Sequence, residues 1–169
     1  SLLIWLEDKG PIFYSQNRHG LGKRKFCITK FRTMKLNAEK NGPQWAKEKD
    51  PRITKIGSIL RSTRIDELPQ LWSVLEGKMS LIGPRPERPE IDEELEKVIP
   101  FYNFRYLIRP GLSGWSQVNY PYGASITDSE NKLSYDIYYL RHLSFFLDLL
   151  ILFKTIRLVF TAKGAIPNK

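Results

Sequence analysis

Two adjacent carboxylates, Asp66 and Glu67, stand inside the stretch Arg61–Glu90, RSTRIDELPQLWSVLEGKMSLIGPRPERPE. This stretch constrains the chain more than any other. Leu68, Leu71, Trp72 and Leu75 recur at i, i+3, i+4 and i+7, the spacing of one helix face. Asp66 then occupies an N-cap position, and Pro69 fits a first turn, where a missing N–H has no partner to lose. Free backbone N–H groups and the positive end of the helix dipole keep a carboxylate there ionised. The loop Gly83-Pro84-Arg85-Pro86 closes the segment, its prolines fixing φ on either side of Arg85.

Taken alone, an Asp at a helix start is a cap, and a Glu beside it is an ordinary first-turn charge. The surrounding cations weaken that interpretation. Arg61, Arg64 and Arg85 flank the helix start, more positive charge than a cap needs. Guanidinium forks match phosphate oxygens two at a time. A carboxylate among such cations points to a nucleophile aimed at a phosphoryl group, or to a metal ligand beside one.

These residues carry a family resemblance. Lys30-Phe31-Arg32-Thr33-Met34, then Arg61 through Asp66-Glu67-Leu68-Pro69-Gln70-Leu71, then Ser80-Leu81-Ile82-Gly83-Pro84-Arg85-Pro86-Glu87, resemble the bacterial sugar transferases. These are monotopic phosphoglycosyl transferases that start glycan assembly on a polyprenol phosphate carrier. Pro110-Gly111-Leu112-Ser113-Gly114-Trp115-Ser116-Gln117-Val118 is similar to a later loop of the family, with Leu112 and Ser116 as mild variants. The segment KLSYDIYY, ending at Tyr139, resembles a C-terminal helix signature. The motifs occur in family order from about Pro11 to Gly164.

The resemblance implies roles for particular positions. Asp66 is the expected nucleophile on the β-phosphate of a UDP-sugar, expelling UMP and leaving a covalent phosphosugar-aspartate. Glu67 is expected to handle the proton of the incoming polyprenol phosphate. Magnesium (Mg2+) is the implied cofactor, neutralising the diphosphate, with Asp66 as its protein ligand. Lys30, Arg61 and Arg85 match basic positions near the phosphates. Arg32, in the same motif as Lys30, counts with them as substrate-binding, and Asp136 matches a further acidic position. Phosphoryl transfer depends mostly on positioning and charge neutralisation, so such a set is chemically sufficient. The continuation Glu87-Arg88-Pro89-Glu90 leans toward hexoses such as glucose or galactose.

Composition bounds the alternatives. A chain of 169 residues with 41% hydrophobic residues is a single globular domain with a real core. The net charge of +9 fits an anionic membrane surface or polyanionic substrates as well as a solvated basic face. Nucleic acid is the weakest partner class, because no helix-turn-helix, zinc or RNP-type motif occurs. Cys27, the one cysteine, excludes an intrachain disulfide and lies in an apolar strand, where a buried structural thiol is expected.

Leu2-Leu3-Ile4-Trp5-Leu6 runs into Glu7-Asp8-Lys9-Gly10, with a tryptophan where charge begins, as at a membrane–water interface. A plain N-terminal core helix explains these residues equally well. The family resemblance favours residues 1–10 as the end of a truncated membrane-associated helix and 11–169 as the catalytic domain. It places the chain, a soluble fragment, at the cytoplasmic face of the bacterial inner membrane with membrane lipids as partners. A homodimer is compatible with the sequence, which leaves the oligomeric state open.

Along the chain, Pro11–Arg18 and Phe26–Phe31 predict strands joined by a turn, hence a hairpin with His19 in an exposed loop. Residues 37–50 are polar and predict a mobile loop. Ile53, Ile56, Ile59 and Leu60 trace a short amphipathic helix. Glu87–Glu96 predicts the acidic, solvated start of a helix reaching Leu107. Two helices follow near 130–142 and 145–162. Phe146, Leu149, Leu150, Phe153, Ile156 and Phe160 form a broad stripe on the last, with core packing as the default. The alternative lays it on a membrane surface, with Lys154, Arg157 and Lys163 reaching head groups.

The expected fold class is therefore α+β and α-dominated: a compact helical domain with a small β-hairpin, peripheral to the membrane. The expected activity is sugar-phosphate transfer from a UDP-sugar to polyprenol (undecaprenyl) phosphate. A non-catalytic basic module binding anionic lipid or a glycan-assembly partner, and a magnesium-dependent phosphohydrolase, are the rivals.

Overall fold

The computed structural model describes residues 1–40, 42, 50–121, 123 and 125–161. Helices dominate, around the expected hairpin. β1 (Phe13–His19) and β2 (Lys25–Phe31) pair antiparallel, from Phe13 opposite Phe31 to His19 opposite Lys25. A 3-10 turn, Leu21–Lys23, joins them, and Gly22 supplies its φ of 60°.

Two expectations for the hairpin fail. Cys27 is exposed, because the two-residue period of β2 turns it outward and sends Ile28 into the core. His19 is buried, as the last residue of β1. Its Nδ1 lies 2.8 Å from Asp92 Oδ2 and ties the hairpin to α4 (Pro89–Val98).

Helix α1 (Leu2–Asp8) is held by its two terminal carboxylates. Glu7 accepts from the Lys55 and Ile56 N–H groups at the start of α2 (Lys55–Ser62), and Asp8 accepts from Arg32. Thr54 caps α2 by accepting from the Gly57 N–H at 2.9 Å.

The next helix does not start as expected. A 3-10 helix, Ile65–Gln70, follows Arg64, which takes the left-handed conformation at φ 59°, and runs into α3 (Leu71–Leu75). Asp66 thus lies inside the first turn and caps nothing. Pro69, with no N–H to donate, falls within the 3-10 segment. Leu68, Leu71, Trp72 and Leu75 share a face, but that face is exposed.

The acidic helix is shorter than expected. Ile99-Pro100 ends α4, Phe101 turns at φ 61°, and a second 3-10 helix, Tyr102–Tyr106, follows. Its carboxylates are not all solvated, since Asp92 is 1% exposed. Leu95, Ile99, Tyr102 and Tyr106 form the core with Leu133 of α6 (Ile126–Arg141). A reciprocal Ser125–Asp128 capping box starts α6.

A parallel pair absent from the sequence reading stabilises the far side. β3 (Ser80–Ile82) pairs with β4 (Gly111–Ser113), and α5 (Trp115–Asn119) follows. The backbones meet where side chains are missing: a Cβ on Gly111 would lie 2.1 Å from Gly83 N. Helix α7 (Phe145–Phe160) buries one narrow face, with Ile151 fully enclosed and Thr155 bonded to Ser113. The rest of its apolar stripe is exposed, so the core default does not hold for it. No helix among the described residues is long and apolar enough to cross a membrane. Lys163 and most of the expected 37–50 loop lie outside the described residues.

Candidate active site

Four elements converge on one open cavity of about 450 Å³. The 3-10 helix Ile65–Gln70 supplies Asp66 and Glu67 and packs against β2, which carries Lys30. Helix α2 supplies Arg61, and the loop after β3 supplies Arg85.

Glu67 is the electrostatic hub. Lys30 Nζ donates to it at 3.2 Å, both terminal nitrogens of Arg85 donate to it, and Arg64 Nη1 lies 3.9 Å away. Burial pushes its carboxyl up, but Arg85, Lys30 and Arg64 outweigh burial and hold it well below the usual glutamate range. Burial acts oppositely on Lys30 and, with Arg85 and Arg18 nearby, brings it to about 8 despite Glu67. Lys30 therefore remains mostly charged at neutral pH.

Asp66 is different. It is 8% exposed, and its Oδ1 is buried without a hydrogen-bond partner. Burial and the Glu67 charge push its carboxyl up, while Lys30, Arg61 and Arg85 draw it down. An unpartnered carboxylate oxygen facing cations is available as a nucleophile or as a ligand. Magnesium needs little more from a protein, because one or two carboxylates plus substrate phosphates complete its shell. Among the described residues no group of three or more His, Cys, Asp or Glu could form an all-protein site. The donor set thus fits a metal shared with a phosphorylated substrate.

The sequence pattern of the family described as "Bacterial sugar transferase" matches residues 1–162. The chain belongs to that family. It is 48% identical, over 98% of its own length, to the UDP-N-acetylgalactosamine-undecaprenyl-phosphate N-acetylgalactosaminephosphotransferase of Aeromonas hydrophila. It is 41% and 36% identical, each over 98% of its length, to UDP-glucose:undecaprenyl-phosphate glucose-1-phosphate transferases of Caulobacter vibrioides and Escherichia coli. The chain spans 39%, 62% and 36% of these three relatives, respectively.

The other predicted positions of this bacterial sugar transferase separate into two groups. Arg61 stays at the cavity, its Nε donating to Thr33 Oγ1 at 2.8 Å. Arg32 touches the cavity edge, but its guanidinium is committed to Asp8 and to the Pro11 and Met34 carbonyls. Asp136 is 1% exposed and does not line the cavity. It accepts from Ser116 Oγ at 2.8 Å and lies 3.3 Å from Arg105 Nη2.

Sequence reasoning missed several cavity residues. Arg88 donates from both terminal nitrogens to Glu39, which also accepts from Tyr14. Arg88 stood beside the proline-rich motif, but nothing in the sequence marked Glu39, which lies 49 residues away. Ser116, Gln117 and Tyr120 also line the cavity, and Lys132 reaches it from α6. Gln117 falls inside a recognised motif and could have been found from it.

Proposed function

We propose that this chain is the catalytic part of a phosphoglycosyl transferase. It moves a sugar 1-phosphate from a UDP-sugar to undecaprenyl phosphate at a membrane surface. The observation that carries the proposal is the unpartnered buried oxygen of Asp66 beside the Glu67–Lys30–Arg85 cluster, in a family member whose relatives are named for this transfer. Asp66 Oδ1 attacks the β-phosphorus of the donor. The bond from that phosphorus to the bridging oxygen breaks, UMP leaves with the electron pair, and a phosphosugar-aspartate remains. An oxygen of undecaprenyl phosphate then attacks the same phosphorus and restores the Asp66 carboxylate.

Arg85, Lys30 and Arg61 neutralise charge that develops on the phosphoryl oxygens. Glu67, held by cations, is a weak base in the free site. Diphosphate oxygens draw Arg85 and Lys30 away from it, which raises its basicity toward what accepting the acceptor's proton requires. Magnesium, when bound, would be held by Asp66 with the diphosphate and supplies charge neutralisation there. The exposed stripes of α1, α3 and α7 suit an interfacial position.

For the donor, the relative named for N-acetylgalactosamine is 48% identical, against 41% and 36% for the two named for glucose. UDP-N-acetylgalactosamine therefore comes ahead of the glucose or galactose expected from the motif. The test is UMP release by the full-length protein from UDP-N-acetylgalactosamine, UDP-glucose and UDP-galactose, with and without undecaprenyl phosphate. Sustained release only with acceptor, fastest from UDP-N-acetylgalactosamine, is the expected result. Sustained release without acceptor identifies a hydrolase, and none with any donor identifies a binding module.

A further inference from the structure

Four successive carbonyls of the proline-locked loop are each held by a donor. Pro84 O accepts from the Gly111 N–H at 2.9 Å, Arg85 O from Arg105 Nη2 at 2.7 Å, and Pro86 O from Arg18 Nη1 at 3.2 Å. Glu87 O accepts from the His19 N–H at 3.2 Å. Prolines at 84 and 86 remove two N–H groups, so such a loop can be fixed mainly through its carbonyls. The bond to Arg85 itself comes from a buried charge.

Arg105 is 7% exposed. Besides the Arg85 carbonyl, its guanidinium meets the Tyr102 hydroxyl, the Tyr102 ring at 5.0 Å and, through Nη2, Asp136 Oδ2 at 3.3 Å. Asp136 is in turn held by Ser116. Burying such a pair gives little net stability, and a well-packed apolar pair often does as well. What the pair holds, the Arg85 carbonyl, accounts for a buried charge at this point better than stability does.

We propose that Arg105 and Asp136 are positioning residues for the diphosphate clamp: Asp136 orients Arg105, Arg105 fixes the Arg85 backbone, and Asp136 does not touch the donor. This rests on the transferase function proposed above. Nη2 faces both the Arg85 carbonyl and Asp136 while Nη1 donates to the Tyr102 hydroxyl, and a lysine ammonium, with one nitrogen, cannot occupy both positions of that fork.

The test is a double-mutant cycle in the full-length protein, reading the KM for the UDP-sugar and kcat. Arg105→Lys and Asp136→Asn should each raise the donor KM about tenfold in the wild-type background, and less than twofold when Arg85 is already alanine. Undiminished losses in the Arg85→Ala background make Arg105 a general structural residue, or make Asp136 a donor ligand, and overturn the proposal. Wild-type KM for both variants overturns it as well. Should the single variants fail to fold, the joint replacement Arg105→Met with Asp136→Leu removes both charges and enters the same cycle. Amide exchange over residues 81–90 supplies a readout independent of turnover. Faster exchange there in the variants, at unchanged exchange in α6, supports the proposal, and unchanged exchange in the loop overturns it. If wild type releases no UMP with any donor, the transferase function fails, and the exchange result decides the positioning role alone.

Discussion

Asp66 and Glu67 are neighbours in sequence with opposite environments. Asp66 has a bare oxygen and a carboxyl pushed up by burial and by Glu67. Its ionised form is thus a cost to the fold at neutral pH. Asp66→Asn should abolish UMP release while leaving the melting temperature unchanged or slightly higher. Wild-type turnover in that variant, or no trappable phosphosugar adduct on the Asp66 peptide of wild type, excludes the covalent role. Glu67 behaves in reverse. Its lowered carboxyl contributes stability that is present above the ordinary glutamate pKa of about 4.3. That contribution is lost as pH falls through the lower value of the folded state. Glu67→Gln removes the carboxylate to which Lys30 and Arg85 are hydrogen-bonded. It should destabilise the protein by on the order of 2–3 kcal/mol at pH 7, less than a fully enclosed pair because Arg85 is partly exposed. Thermal melts from pH 7 down to pH 3 should show the gap to wild type closing in acid. A constant gap would assign the loss to packing.

At the level of elements, the loop Gly83–Glu87 has its backbone fixed while the Arg85 side chain is shared with Glu67. Arg85→Lys keeps the charge and loses the fork, so turnover should fall roughly tenfold with little change in melting temperature. Arg85→Ala should cost about 10²-fold or more and also lower the melting temperature, since Glu67 loses its main partner. Equal turnover for all three side chains would reduce the loop to architecture. The hairpin, α6 and α7 were legible because two-residue and 3.6-residue periods survive in the sequence. Asp66, Glu67, Arg61 and Arg85 stand out in the sequence because charge clusters in one stretch, and Lys30, outside it, came from the family resemblance; the structure brings all five to one cavity. The β3–β4 pair was not, because three-residue strands leave no period and their pairing depends on Gly83 and Gly111, 28 positions apart, meeting closely. Nor was the burial of His19 and Asp92, whose partnership joins segments 73 residues apart. The start of the 3-10 helix was missed because Arg64 adopts a left-handed conformation that its residue type does not advertise.

The whole molecule combines a +9 charge with apolar side chains turned outward on α1, α3 and α7. Helices α3 and α7 both pack against β3, which brings two of these faces near one strand. Phe146→Glu with Phe153→Glu should weaken co-sedimentation with anionic vesicles at least tenfold, since each buried phenylalanine is worth about 1.5–3 kcal/mol. Added salt should weaken wild-type binding without abolishing it. Unchanged sedimentation of the variant would leave α7 without a membrane role. The cations at the centre of this molecule have a resident competitor, Glu67, already seated on Arg85 and Lys30. Any incoming anion must displace an internal carboxylate that diffuses nowhere and is present at enormous effective concentration. For the proposed transferase, a diphosphate donor that engages both side chains at once makes its own binding and the release of Glu67 a single event.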